Sequence, residues 1–168
     1  MSDEDLIMPI HRAIRQGNLP EVIRLIADKK SLLQMWTPFG TWLQDAASKG
    51  QIEIVKWLIS QSLDVNAFNE SNECPPVTKA SARGHVEIVR FLIESGAVLD
   101  TSDSVRNPLF AAIVGGISDA HTAVAKLLIE SGIDTSVKYE FKNWGDVDAL
   151  AYAKEWGRSE IVRLLEEL

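Results

Sequence analysis

The chain has 168 residues, 46% of them hydrophobic and 24% charged, which fits one folded domain with enough apolar material for a core and excludes a disordered chain. Its 17 Lys and Arg against 24 Asp and Glu give a formal net charge of −7, the opposite of the positive field a general nucleic-acid binder needs to displace counterions from phosphates. Such a surface favours a basic partner, or serves only to keep a small domain soluble.

In chain order, the N-terminus Met1-Ser2-Asp3-Glu4-Asp5 is acidic, where a secretory leader is basic and then apolar, so a cytoplasmic location is expected. The first helical signal is Met8-Pro9-Ile10-His11-Arg12-Ala13-Ile14-Arg15-Gln16-Gly17, with Pro9 at the position of a first helical residue. It leads into an apolar stripe of Val22, Leu25 and Ile26. The link Gln34–Gly40 carries Trp36 and Phe39, and Thr41 is placed to cap the next helix. Asp45-Ala46-Ala47-Ser48-Lys49-Gly50 then precedes a second helix whose Val55, Leu58 and Ile59 form an i, i+3, i+4 stripe. Lys79-Ala80-Ser81-Ala82-Arg83-Gly84 precedes the same stripe as Val89, Leu92 and Ile93. Between them lies a link with Asn69, Glu70, Asn72 and Cys74, the one cysteine, which excludes an intrachain disulfide and a thiolate metal site. Asn107-Pro108 reads as a cap and first helical residue before Ala111-Ala112-Ile113-Val114-Gly115-Gly116. The last pair is Tyr152-Ala153-Lys154-Glu155-Trp156-Gly157 followed by Ile161, Val162, Leu164 and Leu165. No run approaches the roughly 18 consecutive apolar residues of a membrane span.

The glycines Gly17, Gly50, Gly84, Gly116 and Gly157 are 33, 34, 32 and 41 residues apart. Each is expected to end a helix in a left-handed conformation. A small residue, Ala13, Ala46, Ala80, Ala112 or Ala153, recurs four residues before each, where it allows close helix packing. Two segments depart from the period. Gly84 to Leu92 is eight positions but Gly116 to Leu128 is twelve, with the extra length around Ile117–His121 between two helices. The link Thr135–Asp146 is long and carries Tyr139, Phe141 and Trp144.

A period near 33 with helix–turn–helix content resembles the ankyrin-repeat family. The family's Thr-Pro-Leu-His-x-Ala-Ala-x-x-Gly-His pattern is echoed at 8–18, 41–51 and 107–116, and its Gly-Ala-Asp-Val-Asn tail at 63–67, 96–100 and 132–135. The resemblance implies an all-α solenoid of five helix–turn–helix repeats with short β-hairpin fingers. The repeats are expected at about 6–35, 36–69, 70–102, 103–142 and 143–168 of a single domain, 1–168. The runs Val105-Arg106-Asn107-Pro108-Leu109-Phe110 and Asp148–Gly157 are similar to stand-alone bacterial ankyrin proteins of the toxin-immunity type.

The resemblance implies a binding surface on a concave face built from fingers and first helices. On this chain it falls on Trp36, Phe39, Glu70, Asn72, Asp103, Arg106, Tyr139 and Trp144 of the links. It continues on Lys49, Arg83, Glu155 and Trp156 beside the repeat glycines. Trp156 stands where the family carries a polar residue; it either contacts a partner or covers the long finger by packing on Tyr139 or Trp144. Trp36 and Trp42 have the alternative task of covering the first helix pair. His11 and His85 read as structural, bonded to neighbouring backbone, while His121 in the insertion is open. No histidine pair has metal-ligand spacing, and neither a nucleophile elbow nor a phosphate loop is present. The expectation is a non-enzymatic, protein-binding chain, monomeric when free, with no cofactor, metal, nucleic-acid or membrane partner. The specific expectation is a bacterial immunity protein whose acidic concave face covers the active site of a toxin domain, a basic one such as a nuclease. The alternative is a general adaptor or effector that scaffolds a cellular or host partner.

Overall fold

The computed structural model describes residues 3–26, 29–68 and 74–168. Among these residues the chain runs as α1 (Asp3–Arg15), α2 (Leu19–Ile26), α3 (Lys30–Leu33), α4 (Trp42–Ser48), α5 (Ile52–Ser60), α6 (Pro76–Ser81) and α7 (Val86–Glu94). It continues as α8 (Pro108–Gly115), α9 (Asp119–Glu130), β1 (Tyr139–Phe141), β2 (Gly145–Val147), α10 (Ala149–Glu155) and α11 (Ser159–Glu166). The first helices of the pairs, α1, α4, α6, α8 and α10, pack side by side in that order as an inner layer. Their partners α2, α5, α7, α9 and α11 form an outer layer in the same order.

The alternation of layers follows from the side chains. Ala13, Ala46, Ala80, Ala112 and Ala153 are at most 3% exposed, and their small size lets adjacent inner helices approach closely. The outer stripe Val55–Leu58, Val89–Leu92 and Val124–Leu128 is fully buried between the layers. Each such side chain contributes about 1.5–3 kcal/mol on burial, gained only because neighbouring pairs cover it. Thr41 closes a capping box: its Oγ1 accepts from the Gln44 N–H at 3.2 Å, and Gln44 Oε1 accepts from the Thr41 N–H at 2.6 Å. Asn107 Oδ1 accepts from the N–H groups of Leu109 and Phe110, directly before Pro108.

Three features differ from the expectations. Helix α1 begins at Asp3, so Pro9 lies inside it rather than at its start. Leu6 and Ile10 continue the buried stripe of Ala13 and Ile14 upstream of the proline, and that burial offsets the missing N–H. Asp3, Glu4 and Asp5 then occupy the first turn, where negative charge is favoured. The extra residues after Gly116 do not form a loop. The turn is only 116–118, and α9 has 12 residues where α5 and α7 have nine. Gly116 is also extended (φ 176) rather than left-handed, unlike Gly50 (φ 77) and Gly84 (φ 71). Finally, one link alone among the described residues forms a hairpin, β1 with β2, paired Tyr139↔Val147, Glu140↔Asp146 and Phe141↔Gly145. The first link makes a single bridge, Thr37↔Gly40, and adds the short helix α3. Trp42 is fully buried and its indole N–H donates to Leu32 O at 2.6 Å, which fastens α3 to α4.

Side-chain hydrogen bonds, most of them part-buried, lace the inner helices together at both ends. At the N-terminal ends, Gln44 Nε2 donates to Cys74 O (2.8 Å) and Thr78 Oγ1 to Arg106 O (2.6 Å), each reaching forward to the chain that leads into the next inner helix. At the C-terminal ends, a polar residue after the turn reaches back to a carbonyl of the preceding inner helix. Gln51 Nε2 meets Arg15 O at 3.4 Å, His85 Nε2 meets Ser48 O at 3.3 Å, His121 Nε2 meets Ala82 O at 3.3 Å, and Arg158 Nε meets Ile113 O at 2.6 Å. These carbonyls lie in or beside the last turn, where helical partners run out. A carbonyl only accepts, so His85 and His121 each carry a proton on Nε2. His121 is thereby structural: the longer α9 places its ring where the previous junction has His85, and Ser118 Oγ sits 2.8 Å from its Nδ1.

Two predictions follow from this packing. A Cβ on Gly115 would lie 2.2 Å from Ala82 O, a backbone atom that cannot step aside. Gly115→Ala is expected to cost about 1–3 kcal/mol, read as a lower urea midpoint at unchanged slope. Gly116→Ala meets only the His121 ring, at 2.5 Å, and is expected to cost less because that side chain can rotate. Equal losses would refute the assignment. Burial holds the His85 ring below its ordinary value of 6.5. The folded chain then binds fewer protons than the unfolded chain just below that pH, so stability is fully present above 6.5 and falls as pH drops toward the depressed value. One such proton contributes a slope below about 1.4 kcal/mol per pH unit. His85→Gln, which copies Gln51 at the preceding junction, is expected to keep the bond and flatten that part of the pH–stability curve. An unchanged slope would assign the titration elsewhere.

Candidate functional site

The two positions before each repeat glycine form one row across the C-terminal ends of the inner helices. In order they are Arg15 and Gln16, Ser48 and Lys49, Ala82 and Arg83, Val114 and Gly115, and Glu155 and Trp156. Of these ten, Ser48 and Ala82 are half-buried and the other eight exposed. Four candidates thus lie together: Lys49 and Arg83 on the first half of the row, Glu155 and Trp156 at its end. One turn before Arg15, Arg12 is also exposed.

The charge of this row is not that of the chain. Arg12, Arg15, Lys49 and Arg83 make its first half basic; Asp45 of α4 is 4% exposed, and the acids of α1 lie in its first turn, at the end away from the row. The row along the C-terminal ends of these three helices thus carries exposed cations, and the exposed acids of α1, Glu4 and Asp5, lie at the opposite end of that helix. Much of the negative charge sits elsewhere, on the first turn of α1 and on exposed Glu53, Glu87, Glu160 and Glu166 of the outer helices. Asp45 is occupied within the fold. Its Oδ2 lies 2.6 Å from His11 Nδ1 across the α1–α4 junction. Burial pushes the Asp45 carboxyl up, while the His11 bond and charge oppose that rise. His11 therefore bonds a carboxylate rather than the backbone expected for it. Phe39 stacks on the other side of the ring, with centroids 3.7 Å apart and planes 9° from parallel. Phe39 is thus a packing residue of the first link.

The remaining link candidates divide similarly. Arg106 is drawn inward: its Nε lies 2.5 Å from Asp103 Oδ2 and 3.6 Å from Asp100 Oδ2, and its guanidinium lies over the Phe68 ring. Asp103 Oδ1 accepts from the N–H groups of Val105 and Arg106. Burial opposes it, but these bonds and the guanidinium hold the Asp103 carboxyl below its ordinary value. Tyr139 pins the hairpin, its hydroxyl donating to Thr101 O at 2.7 Å and accepting from Asn107 Nδ2 at 3.0 Å. Trp36 remains 46% exposed beside a cleft of about 630 Å³ lined by Leu33, Thr41, Leu63 and Asp64. Glu70 and Asn72 lie outside the described residues.

An aromatic cluster supports the end of the row. Tyr152 of α10 is its hub, stacked on Phe110 at 4.3 Å and Phe141 at 5.5 Å, and touched by Trp144 and Trp156 at 6.1 Å each. Trp156 thus rests on Tyr152, with the Arg158 guanidinium 5.9 Å from its ring, and its ring contacts do not include Tyr139 or Trp144. Trp156 and Trp144 stay 40% and 45% exposed, held in place by buried rings beneath them. The sequence reading did not single out Tyr152 or Arg12. The signal for both is their register, since each lies five residues before its repeat glycine, at the position of Asp45.

Among the described residues, no group of three or more His, Cys, Asp or Glu side chains is arranged to hold a metal, and no helix is long and apolar enough to cross a membrane. A family model for ankyrin repeats in three copies matches residues 43–139. A putative ankyrin repeat protein of Rickettsia felis is 29% identical over 129 residues, covering 72% of this chain and 56% of that protein. The human protein phosphatase 1 regulatory subunit 27 is 34% identical over 91 residues, covering 54% of this chain and 58% of that one. Human transient receptor potential cation channel subfamily A member 1 is 26% identical over 133 residues, covering 78% of this chain but 12% of the channel. The match therefore spans a little over half the length of the first two relatives. The matched stretch begins in α4 and ends on the first residue of β1, and laced helix pairs of the same kind lie on either side of it; the chain belongs to the ankyrin-repeat family.

Proposed function

We propose that this protein-interaction module binds its partner along the row at the C-terminal ends of the inner helices, together with the hairpin that packs on α10 through Tyr152. The observation that carries this reading is the pair of exposed tryptophans, Trp144 and Trp156, each resting on buried Tyr152, which is stacked in turn on Phe110. Apolar rings left in water and fixed from below are the usual make-up of binding anchors, because little side-chain freedom is lost on contact. Lys49, Arg83 and Glu155 contribute from the same row. Phe39, Asp103, Arg106 and Tyr139 hold the surface in shape. The finer reading is an immunity protein, in which the row covers the active site of a toxin domain and neutralises it by occlusion. The small size of the module and its resemblance to stand-alone bacterial ankyrin chains support that reading. The adaptor reading draws support from the similarity to a regulatory subunit of protein phosphatase 1.

Affinity capture on the full chain, followed by mass spectrometry, separates these readings. Recovery of one protein at near 1:1 yield, toxic when expressed alone and harmless when co-expressed, is the outcome expected of an immunity protein. Several unrelated proteins or a housekeeping complex would assign an adaptor. Trp144→Ala and Trp156→Ala are each expected to weaken the captured complex by about 1–3 kcal/mol while the melting temperature of the free chain changes little. Unchanged affinity in both would remove the end of the row from the interface.

A further inference from the structure

The row is polarised along its length. Its first half presents Arg12, Arg15, Lys49 and Arg83, all exposed, and among the described residues none of the four is in an ion pair. Most of the remaining surface cations are neutralised within the fold: Arg24 by Glu21, Lys29 by Asp3, Lys56 by Glu53, Lys126 by Glu130, Lys154 by Glu166 and Arg163 by Glu160. Among the described residues exposed Arg90 of α7 and Lys138 and Lys142 around the hairpin make no ion pair either, but they lie apart, whereas these four cations share one layer of a chain whose net charge is −7. Past Arg83 the row becomes apolar. Val114 is 40% exposed, Ile117 in the following turn 84%, and the Trp144–Trp156 pair closes the end, with Glu155 its exposed acid.

We propose that this row seats an extended acidic segment of a protein partner, with carboxylates over the basic half and a bulky apolar residue against Trp144 and Trp156. The inference rests on the row being the recognition surface and adds the chemistry of what it recognises. Dimensions agree. Neighbouring helix axes lie about 8–10 Å apart, so four intervals from Arg15 to Trp156 span roughly 32–40 Å. An extended chain rising about 3.3 Å per residue covers that length in roughly eleven residues. Charge selects the occupant. A short segment senses charges within a screening length of about 8 Å, which on this row are positive. A long polyanion such as a nucleic acid would also meet the acidic outer helices, and the net charge opposes it.

The test is selection of a random twelve-residue peptide library displayed on phage against the immobilised full chain. The same selection is run on R15E/K49E/R83E and on the milder R15Q/K49Q/R83Q, each confirmed folded by its thermal melt. Enrichment of peptides with clustered Asp or Glu and one terminal aromatic or large aliphatic residue is expected on the natural chain and not on the variants. A synthetic copy of the leading peptide, followed by fluorescence anisotropy, should lose about tenfold or more in affinity on charge reversal and weaken with added salt. Trp156→Ala should weaken that peptide but not its copy with Ser in the apolar position. Enriched peptides without acids, or acidic ones retained equally by both variants, would overturn the proposal while leaving the binding module intact. Failure to enrich any peptide, alongside capture of a partner from cells, would overturn the extended segment alone; failure of both would remove the row as well. Tighter binding of a labelled oligothymidylate than of any peptide would assign the basic half to nucleic acid.

Discussion

The structure depends on backbone carbonyls that helices leave unpaired at their ends. Short inner helices of six to eight residues, α4, α6, α8 and α10, spend a large share of their length on such ends. Here the neighbouring pair supplies the missing partners, through Gln51, His85, His121 and Arg158 on one side and Gln44 and Thr78 on the other. A helix pair taken alone would lack these donors and half of its apolar cover, so stacking and local folding are one event. The donors differ in chemistry but not in role, which explains how the chain tolerates variation at these positions while keeping its spacing.

The same lacing sets up the recognition surface. Because the C-terminal ends of the inner helices are tied backward to the next pair, their last exposed side chains fall in line rather than splaying. Gly115 is where this alignment is tightest, with the α8 backbone lying against Ala82 O. At the last pair the aromatic hub adds to the carbonyl bond made by Arg158. Tyr152 collects Phe110 from the preceding inner helix and Phe141 and Trp144 from the hairpin, so β1 and β2 are held over α10. The hairpin forms at this link because Tyr139 anchors one strand to Thr101 and Asn107.

The helix pairs were legible from the recurring glycines and alanines, since those positions are dictated by turn geometry and close packing within one repeat. What depended on contacts between repeats was not. Pro9 marks a helix start by its local chemistry, yet the burial of Leu6 extends α1 beyond it. A residue count from Gly116 to Leu128 cannot distinguish a longer turn from a longer helix; the His121 bond to Ala82 O favours the helix. His11 and Asp45 are 34 residues apart, and nothing in either repeat alone pairs them. The charge of the row was hidden for a related reason. Arg15, Lys49 and Arg83 are each visible, but only stacking in register brings them to one edge while many of the acids go to the other layer.

The placement of the five tryptophans also makes the molecule its own optical probe. Trp42 is sealed in the core and Trp57 half-covered, while Trp36, Trp144 and Trp156 meet solvent. Two of the exposed indoles lie at the far end of the row and the third beside the cleft near the first link. Intrinsic fluorescence therefore carries a fixed background from the interior and a solvent-sensitive signal from opposite ends of the array. An aqueous quencher reaches the latter most readily, Trp57 less so, and Trp42 not at all. Protection of that fraction reports, without any label, that a bound molecule has covered one extremity or the other, and single replacements of the three indoles tell which.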